Sequence, residues 1–440
     1  MAIPGFVTMN RRRRRGMAFE RTEMSGPFRC PRWLPVVAAA LAATALGSPL
    51  RAVSDRPLKS VVADLKDASV TDFTFVVSGD NRPAGKGAPQ PRITGTIFDE
   101  IALLRPAFVL WSGDAIYGYC DSAAEIEAEY DVFLSYARRG QVPLFNAPGN
   151  HDVHAEEECA GTPKVCGRKC TEDAFTRRFG QLYGSFDYAG VHFISLDSEV
   201  AGQENGILGE QLAWLQQDLE KNKGARAIFI FDHCEFHSSP LIDDEPGKSH
   251  PAISNRAALH DLFRRYPVKA VFSGHEHLYW HEPAEQHDYI DYFVAGGAGA
   301  PVYAPPEKGG FTHYVVVRVA GDKIAYDVVE PGRLYVEPPK VTGPGEAQFW
   351  ILTGGHIGHF DLGGVEVDLP AAVGACADLT VSAGYPRGDG TLRAVPTRIL
   401  SCTPGKDGGN HLVMYARDLL AGRSVPVTVR GKAPATPGAR

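Results

Sequence analysis

From Thr71 to Val329, short runs of β-branched and aromatic residues alternate with stretches of helical periodicity. That alternation confines the region to an α/β core. Strands are expected at residues 73–78, 107–112, 142–147, 184–188, 191–197, 227–231, 268–273, 289–295, 314–320 and 323–329. Helices are expected at 93–104, 123–138, 209–221 and 255–265. In the third of these, Leu212, Leu215 and Leu219 recur at helical spacing beside Trp214. The last strands follow one another without helices, which predicts an added antiparallel sheet. Residues 331–346 are rich in Pro and Gly without an apolar period and read as a linker. Residues 347–430 show short strands and turns, a small all-β domain, and 431–440 read as a disordered tail. No repeat of solenoid or propeller period is present.

Ahead of this core, residues 1–52 carry nine Arg against Glu20 and Glu23, a net of +7. Arg29 and Arg32 precede an apolar run from Trp33 to Gly47, followed by small residues. That is the order of a secretory signal peptide, with cleavage at Gly47-Ser48 or Ala52-Val53. An uncleaved N-terminal anchor is the alternative, although the run falls short of the roughly 20 apolar residues that span a bilayer. Met17 or Met24 offers an alternative start. A periplasmic or secreted location follows, with no transmembrane anchor after processing.

The cysteines agree with export. Beyond Cys30 in the leader, two local disulfides are expected among Cys120, Cys159, Cys166 and Cys170, with a third between Cys376 and Cys402. Cys234 is left as a buried free thiol. Structural zinc is disfavoured because the spacings do not match knuckle pairs. The remaining 388 residues hold 36 basic and 50 acidic side chains, a net of −14, so no stable nucleic-acid binding is expected.

Five polar clusters stand at the ends of expected strands. They are Ser78-Gly79-Asp80-Asn81-Arg82, Ser112-Gly113-Asp114-Ala115-Ile116-Tyr117, Gly149-Asn150-His151-Asp152, His233 after the 227–231 run, and Gly274-His275-Glu276-His277. Strand ends of an α/β sheet are where loops converge on a ligand. Each cluster alone is commonly a turn or a cap. All five in order supply carboxylates, an amide, imidazoles and a phenol, an inventory suited to two adjacent cations.

This ordered set resembles the calcineurin-like metallophosphoesterase superfamily over residues 70–330. Its Gly-Asp-x-x-Tyr form at Gly113–Tyr117 is similar to the purple acid phosphatases, as is Ile230-Phe231-Asp232-His233. The resemblance implies a β-sandwich flanked by helices, in αββα layers. It implies a first metal held by Asp80, Asp114 and His277 with Tyr117 as a fourth ligand. Asp114 would bridge to a second metal completed by Asn150, His233 and His275. His151 would contact the phosphoryl group or leaving oxygen and Asp152 would orient it, while Arg82 is placed to meet a phosphate oxygen or to serve a structural role. The superfamily has a His where Arg82 stands, and the purple acid phosphatases a Gly. Tyr117 is either a substitute ligand, which its spacing favours, or a core aromatic. The two ions would be Fe, Mn or Zn.

The expected activity is hydrolysis of phosphate esters by an exported enzyme, foremost a phosphomonoesterase acting on a phosphorylated small molecule or phosphoprotein. A phosphodiesterase or nucleotidase of the same fold is the alternative, or a weakly active metal-bearing binding protein. The C-terminal β domain is alternatively a docking module. The 118–122 and 154–171 segments are expected to wall the pocket. His237 and His281 are weighed as pocket lining, with Tyr279 and Trp280 at the substrate end. His356, His359 and Glu156–Glu158 read as surface.

Overall fold

In the computed structural model the chain runs β1 (Asp72–Ser78), α1 (Arg92–Leu104), β2 (Val109–Trp111), α2 (Ala123–Arg139), β3 (Leu144–Asn146), α3 (Asn150–Val153) and α4 (Arg168–Phe179). It continues through β4 (Gly184–Tyr188), β5 (Val191–Ser195), α5 (Gly209–Lys221), β6 (Ala227–Phe231), α6 (Arg256–Phe263) and β7 (Val268–Ser273). Then follow β8 (Tyr279–Glu282), β9 (Asp291–Ala295), β10 (Tyr314–Ala320) and β11 (Lys323–Val329). The structure describes residues 72–119, 121–155, 166–239, 252–354, 359–388, 390–420 and 422–432. The leader at 1–52, Cys120, Cys159, Glu156–Glu158, His356 and most of the 431–440 tail lie outside them.

Two sheets face each other, β11-β10-β1-β2-β3 and β4-β5-β6-β7-β9-β8. The last strands extend these sheets rather than forming one of their own: β10 pairs antiparallel with β1, and β9 parallel with β7. Between the sheets lies an aromatic layer. Phe75, Phe108, Phe193, Phe229 and Phe272 are fully buried there, with neighbouring rings stacked, edge-on or tilted. Burying each such side chain contributes about 1.5–3 kcal/mol. α1 lays Ile97, Phe98, Ile101 and Leu104 on the outer face of the first sheet. α2 starts at a capping box in which Ser122 and Glu125 exchange side-chain and backbone bonds, and it buries Ile126, Tyr130, Phe133 and Leu134. α5 and α6 cover the second sheet with Leu215, Leu219, Leu259 and Phe263. The layers are therefore helix, sheet, sheet, helix.

An ion triad around buried His192 clamps α5. His192 on β5 meets Asp187 of β4 and Asp218 of α5, both at 2.7 Å. Burial opposes the charged imidazole, but the two carboxylates raise its pKa above 6.5. The triad therefore stabilises fully below about pH 6.5, and that contribution is lost as pH rises through the folded value. Urea midpoints measured across that window are expected to fall more steeply for the wild type than for His192→Asn.

The stretch read as a linker carries two strands, β12 (Leu334–Val336) and β13 (Lys340–Gly343). Buried Glu100 of α1 holds its start by accepting the N–H groups of Gly332, Arg333 and Leu334, and the Tyr314 hydroxyl. The remaining strands are β14 (Glu346–Thr353), β15 (His359–Leu369), β16 (Thr380–Pro386), β17 (Leu392–Val395), β18 (Thr397–Pro404), β19 (Asn410–Leu420) and β20 (Val425–Arg430). They form the sheets β12-β14-β20-β16-β17, with β13 on β14, and β15-β19-β18. Their core of Phe349, Ile351, Leu362, Met414 and Val427 is continuous with the α1 layer. At that junction a Cβ on Gly364 would collide with the Ala102 carbonyl. Disulfides join Cys166 to Cys170 and Cys376 to Cys402, and Cys234 is a buried free thiol.

Candidate metal centre

Because β1, β2 and β3 are mutually parallel, as are β5, β6 and β7, the loops after them leave from the same edge of each sheet. The loops also bind each other. The Asp80 N–H donates to the Gly113 carbonyl at 3.0 Å, and the Gly274 N–H to the His233 carbonyl at 2.9 Å. Asp80, Asp114 and His275 all have positive φ, at 61°, 55° and 68°. Such backbone is uncommon outside glycine and clusters at functional sites. Two glycines permit the close approach: a Cβ on Gly113 would meet Gly149 backbone at 2.7 Å, and one on Gly149 would collide with the Asp114 carboxylate.

Six of the expected ligands converge. Asp80, Asp114 and His277 are buried and place ligand atoms within 4.8 Å of one another. His233 Nε2 lies 2.8 Å from Asn150 Oδ1, 3.0 Å from His275 Nδ1 and 3.4 Å from Asp114 Oδ1. Asp80 accepts the His275 N–H, and Asp114 the His151 N–H, each at 3.0 Å. Three imidazoles have their tautomer preset by a carbonyl, which only accepts. His233 Nδ1 meets Ser112 O at 2.7 Å, His277 Nδ1 meets Pro301 O at 2.6 Å, and His151 Nδ1 meets Tyr117 O. In its neutral form each ring therefore carries its hydrogen on Nδ1 and leaves Nε2 as the lone-pair nitrogen, the arrangement that orients a metal-binding histidine. Two carboxylates, an amide oxygen and the imidazoles of His233, His275 and His277 fit a pair of transition-metal ions.

Residues 71–279 match the family model for calcineurin-like phosphoesterases. This stretch is a calcineurin-like phosphoesterase domain. Purple acid phosphatase 23 of Arabidopsis thaliana is 28% identical to the chain over 182 residues, 41% of this chain and 37% of the relative. Serine/threonine-protein phosphatase CPPED1 of Danio rerio is 29% identical over 224 residues, 49% of this chain and 65% of the relative. The chain thus spans less than two thirds of either. Among solved structures, purple acid phosphatase PPD1 from yellow lupin (Lupinus luteus) seeds superposes with a TM-score of 0.45 at 18% identity. The match covers 59% of this chain and 51% of that one.

Within the phosphoesterase domain, the electrostatics bear the mark of crowded like groups. Burial raises Asp80 well above the usual carboxylate range. Burial pulls the same way at Asp114, but His233, His151 and Arg82 outweigh it and hold that carboxyl below the usual range. Burial disfavours a charged His233, yet the carboxylates of Asp114 and Asp80 push it up to about 9. Burial lowers His151 to about 4, and burial with the Arg82 charge lowers His277 to about 3.

The remaining expected site residues take specific places. Arg82 Nε stands 3.5 Å from Asp114 Oδ2, and its Nη2 donates to the Tyr303 hydroxyl at 3.4 Å. Tyr117 is half-buried with its ring 5.6 Å from that of His151. Asp152 does not take the orienting role expected of it. Its carboxylate accepts the N–H groups of Asp114 at 2.8 Å, Gly149 at 3.0 Å and Ala115 at 3.2 Å, and the Tyr130 hydroxyl at 3.3 Å. It ties the 114–115 backbone to Gly149, and the Tyr117 carbonyl holds His151 instead.

His237 and His281 pack elsewhere, His237 against His287 and Tyr292, and His281 flat on Phe293 with Asp291 at 2.7 Å. Trp280 donates to Glu282 at 2.9 Å. Sequence reasoning passed over Tyr303, which stacks on His277 at 4.1 Å between ring centroids. It named Tyr119 only within a wall segment, although that hydroxyl accepts from Asn150 Nδ2. Nor did it single out Cys234 and Glu235 as neighbours of His275, with ligand-type atoms within 4.8 Å. No motif spacing marks these contacts, since tertiary packing creates them.

Proposed function

We propose that this chain is an exported, dinuclear-metal phosphoesterase that prefers phosphate monoesters. The convergence of Asp80, Asp114, Asn150, His233, His275 and His277, with the His233 and His277 tautomers preset by carbonyls, carries this reading. One ion would be held by Asp80, Asp114, His277 and Tyr117, and a second by Asp114, Asn150, His233 and His275. Fe, Mn or Zn suits the donors. When bound, the ions supply charge neutralisation at the phosphoryl oxygens and an acidified water.

The chain's own groups do the rest. Arg82, a fixed cation beside Asp114, binds a phosphoryl oxygen and offsets the second charge of a monoester. Beside the phosphate's negative charge, which opposes the burial that keeps its ring neutral, His151 takes a proton from solvent and gives it from Nε2 to the ester oxygen as its P–O bond breaks. The oxygen of water forms the new P–O bond, so one ester and one water yield an alcohol and phosphate. Both relatives bear phosphatase names, which supports a phosphorylated small molecule or phosphoprotein as substrate. The signal-like leader and the disulfides support export. Among the described residues, no helix is long and apolar enough to cross a membrane.

A chromogenic phosphomonoester and its diester, given to the metal-loaded protein, test the reading. The monoester is expected to turn over faster. Chelation is expected to cut the rate at least about 100-fold, with recovery on adding Fe, Mn or Zn. Faster diester hydrolysis would overturn the monoester preference, and turnover that survives metal removal would overturn the mechanism.

A further inference from the structure

We infer that Tyr303 is a positioning residue that holds the Arg82 guanidinium ready for the phosphoryl group, and that this pair sets the preference for monoesters over diesters. The inference rests on Arg82 meeting a phosphoryl oxygen, as proposed above. Arg82 is largely buried and its guanidinium is held at both tips. Nη1 donates to the Pro83 carbonyl at 3.3 Å, and Nη2 to the Tyr303 hydroxyl at 3.4 Å. Its Nε–H is buried, faces Asp114 at 3.5 Å and makes no hydrogen bond among the described residues. Buried donors without an acceptor are rare, and at a reaction centre such a donor is suited to receive a ligand oxygen.

Tyr303 can hold Arg82 because its own place is fixed. After β9 the chain runs as a strap along two ligand loops. The Ala298 N–H donates to the Gly79 carbonyl and the Ala300 N–H to the Asp80 carbonyl, both at 2.9 Å. The Pro301 carbonyl meets His277 Nδ1 at 2.6 Å, and the Tyr303 N–H donates to the His277 carbonyl at 3.3 Å. A Cβ on Gly296 would collide with the Glu276 carbonyl oxygen, so only glycine lets the strap lie this close. Beyond Tyr303 the Gly309 carbonyl accepts the Tyr279 N–H at 2.8 Å, which ties the loop back to β8. The tyrosine ring stacks on His277 with the two planes 20° apart, and it packs with Leu278 and Val294. A fixed ring thus delivers its hydroxyl to Arg82.

An arginine side chain has several rotatable bonds and loses that freedom when it grips an oxyanion. Holding it in place beforehand removes part of that cost. A guanidinium does not lose its proton in a protein, so the effect involves no proton equilibrium. A phosphate monoester carries nearly two negative charges at neutral pH, and a diester one. The fixed cation therefore favours the monoester, and the hydroxyl that fixes it shares in that selectivity.

The test uses the metal-loaded full chain and two measurements. One is binding of inorganic phosphate by isothermal titration calorimetry; the other is kcat/KM on a chromogenic monoester and its diester. Tyr303→Phe keeps the ring on His277 and removes the hydroxyl. It is expected to weaken phosphate binding about fivefold, and to lower the monoester-to-diester ratio by a similar factor, the scale of one hydrogen bond. Arg82→Gln is expected to show both effects more strongly. Adding Tyr303→Phe to Arg82→Gln is expected to change either quantity by less than about twofold, because the hydroxyl acts through the guanidinium. If Arg82→Gln shows both effects while Tyr303→Phe shows neither, or still adds to Arg82→Gln, the Tyr303 inference is overturned alone. A fall in bound metal in Tyr303→Phe, read by elemental analysis, would overturn it too, since the hydroxyl would then serve His277. If Arg82→Gln leaves phosphate binding and the ratio unchanged, the phosphate-contact reading fails, and the inference with it.

Discussion

Asp114→Asn is expected to lower turnover by at least about 10³-fold and to reduce bound metal at the same time. Asp114 is the point on which both halves of the site converge. Its carboxylate accepts the His151 N–H at 3.0 Å and faces His233 at 3.4 Å and Arg82 at 3.5 Å. Against the upward pull of burial, those neighbours keep it ionised. An amide has nearly the same shape and still offers an acceptor to His151, so the fold should survive. What is lost is the negative charge that two cations would share. Elemental analysis alongside the chromogenic assay checks both parts. A variant that keeps full metal content and full rate would remove Asp114 from the bridging role.

The second large effect falls on stability. Asp152→Ala is expected to destabilise the protein by about 3 kcal/mol or more, because the buried N–H groups of Asp114, Ala115 and Gly149 lose their acceptor at about 1–3 kcal/mol each. That is a large share of a typical 5–15 kcal/mol. At about 2–4 °C per kcal/mol for a domain of this size, the melting temperature should drop by roughly 6 °C or more. Thermal unfolding followed by circular dichroism reads it directly. A residue that merely oriented His151 would slow turnover and leave the melting point alone, so an unchanged melting temperature would restore the orienting role and refute the clamp.

The contrast between these two aspartates marks how far the sequence was legible. Asp80, Asp114, Asn150, His233, His275 and His277 follow β runs directly, and parallel pairing carries strand ends to one edge, so their convergence could be anticipated. Asp152 follows the same motif, but its role depends on which N–H groups the 113–115 loop turns toward it. Tyr303 reaches His277 from a loop without periodicity. The helix at Arg168–Phe179 was missed because it buries only Thr171, Ala174, Phe175 and Phe179 within a charged stretch. The strands at 334–336 and 340–343 were read as linker because Pro and Gly interrupt them, yet partners in β14 pair them into a sheet.

The grip of Glu100 on the N–H groups of Gly332, Arg333 and Leu334 bears on where this protein can be divided. A cut near residue 330 would look natural by composition, but it would leave a buried carboxylate without three of its donors and bare the apolar side of α1. The C-terminal sheets therefore behave less as a detachable module than as the outer wall of the phosphoesterase domain, and a grafted or truncated version would need a substitute for that wall before it could be purified as a folded protein.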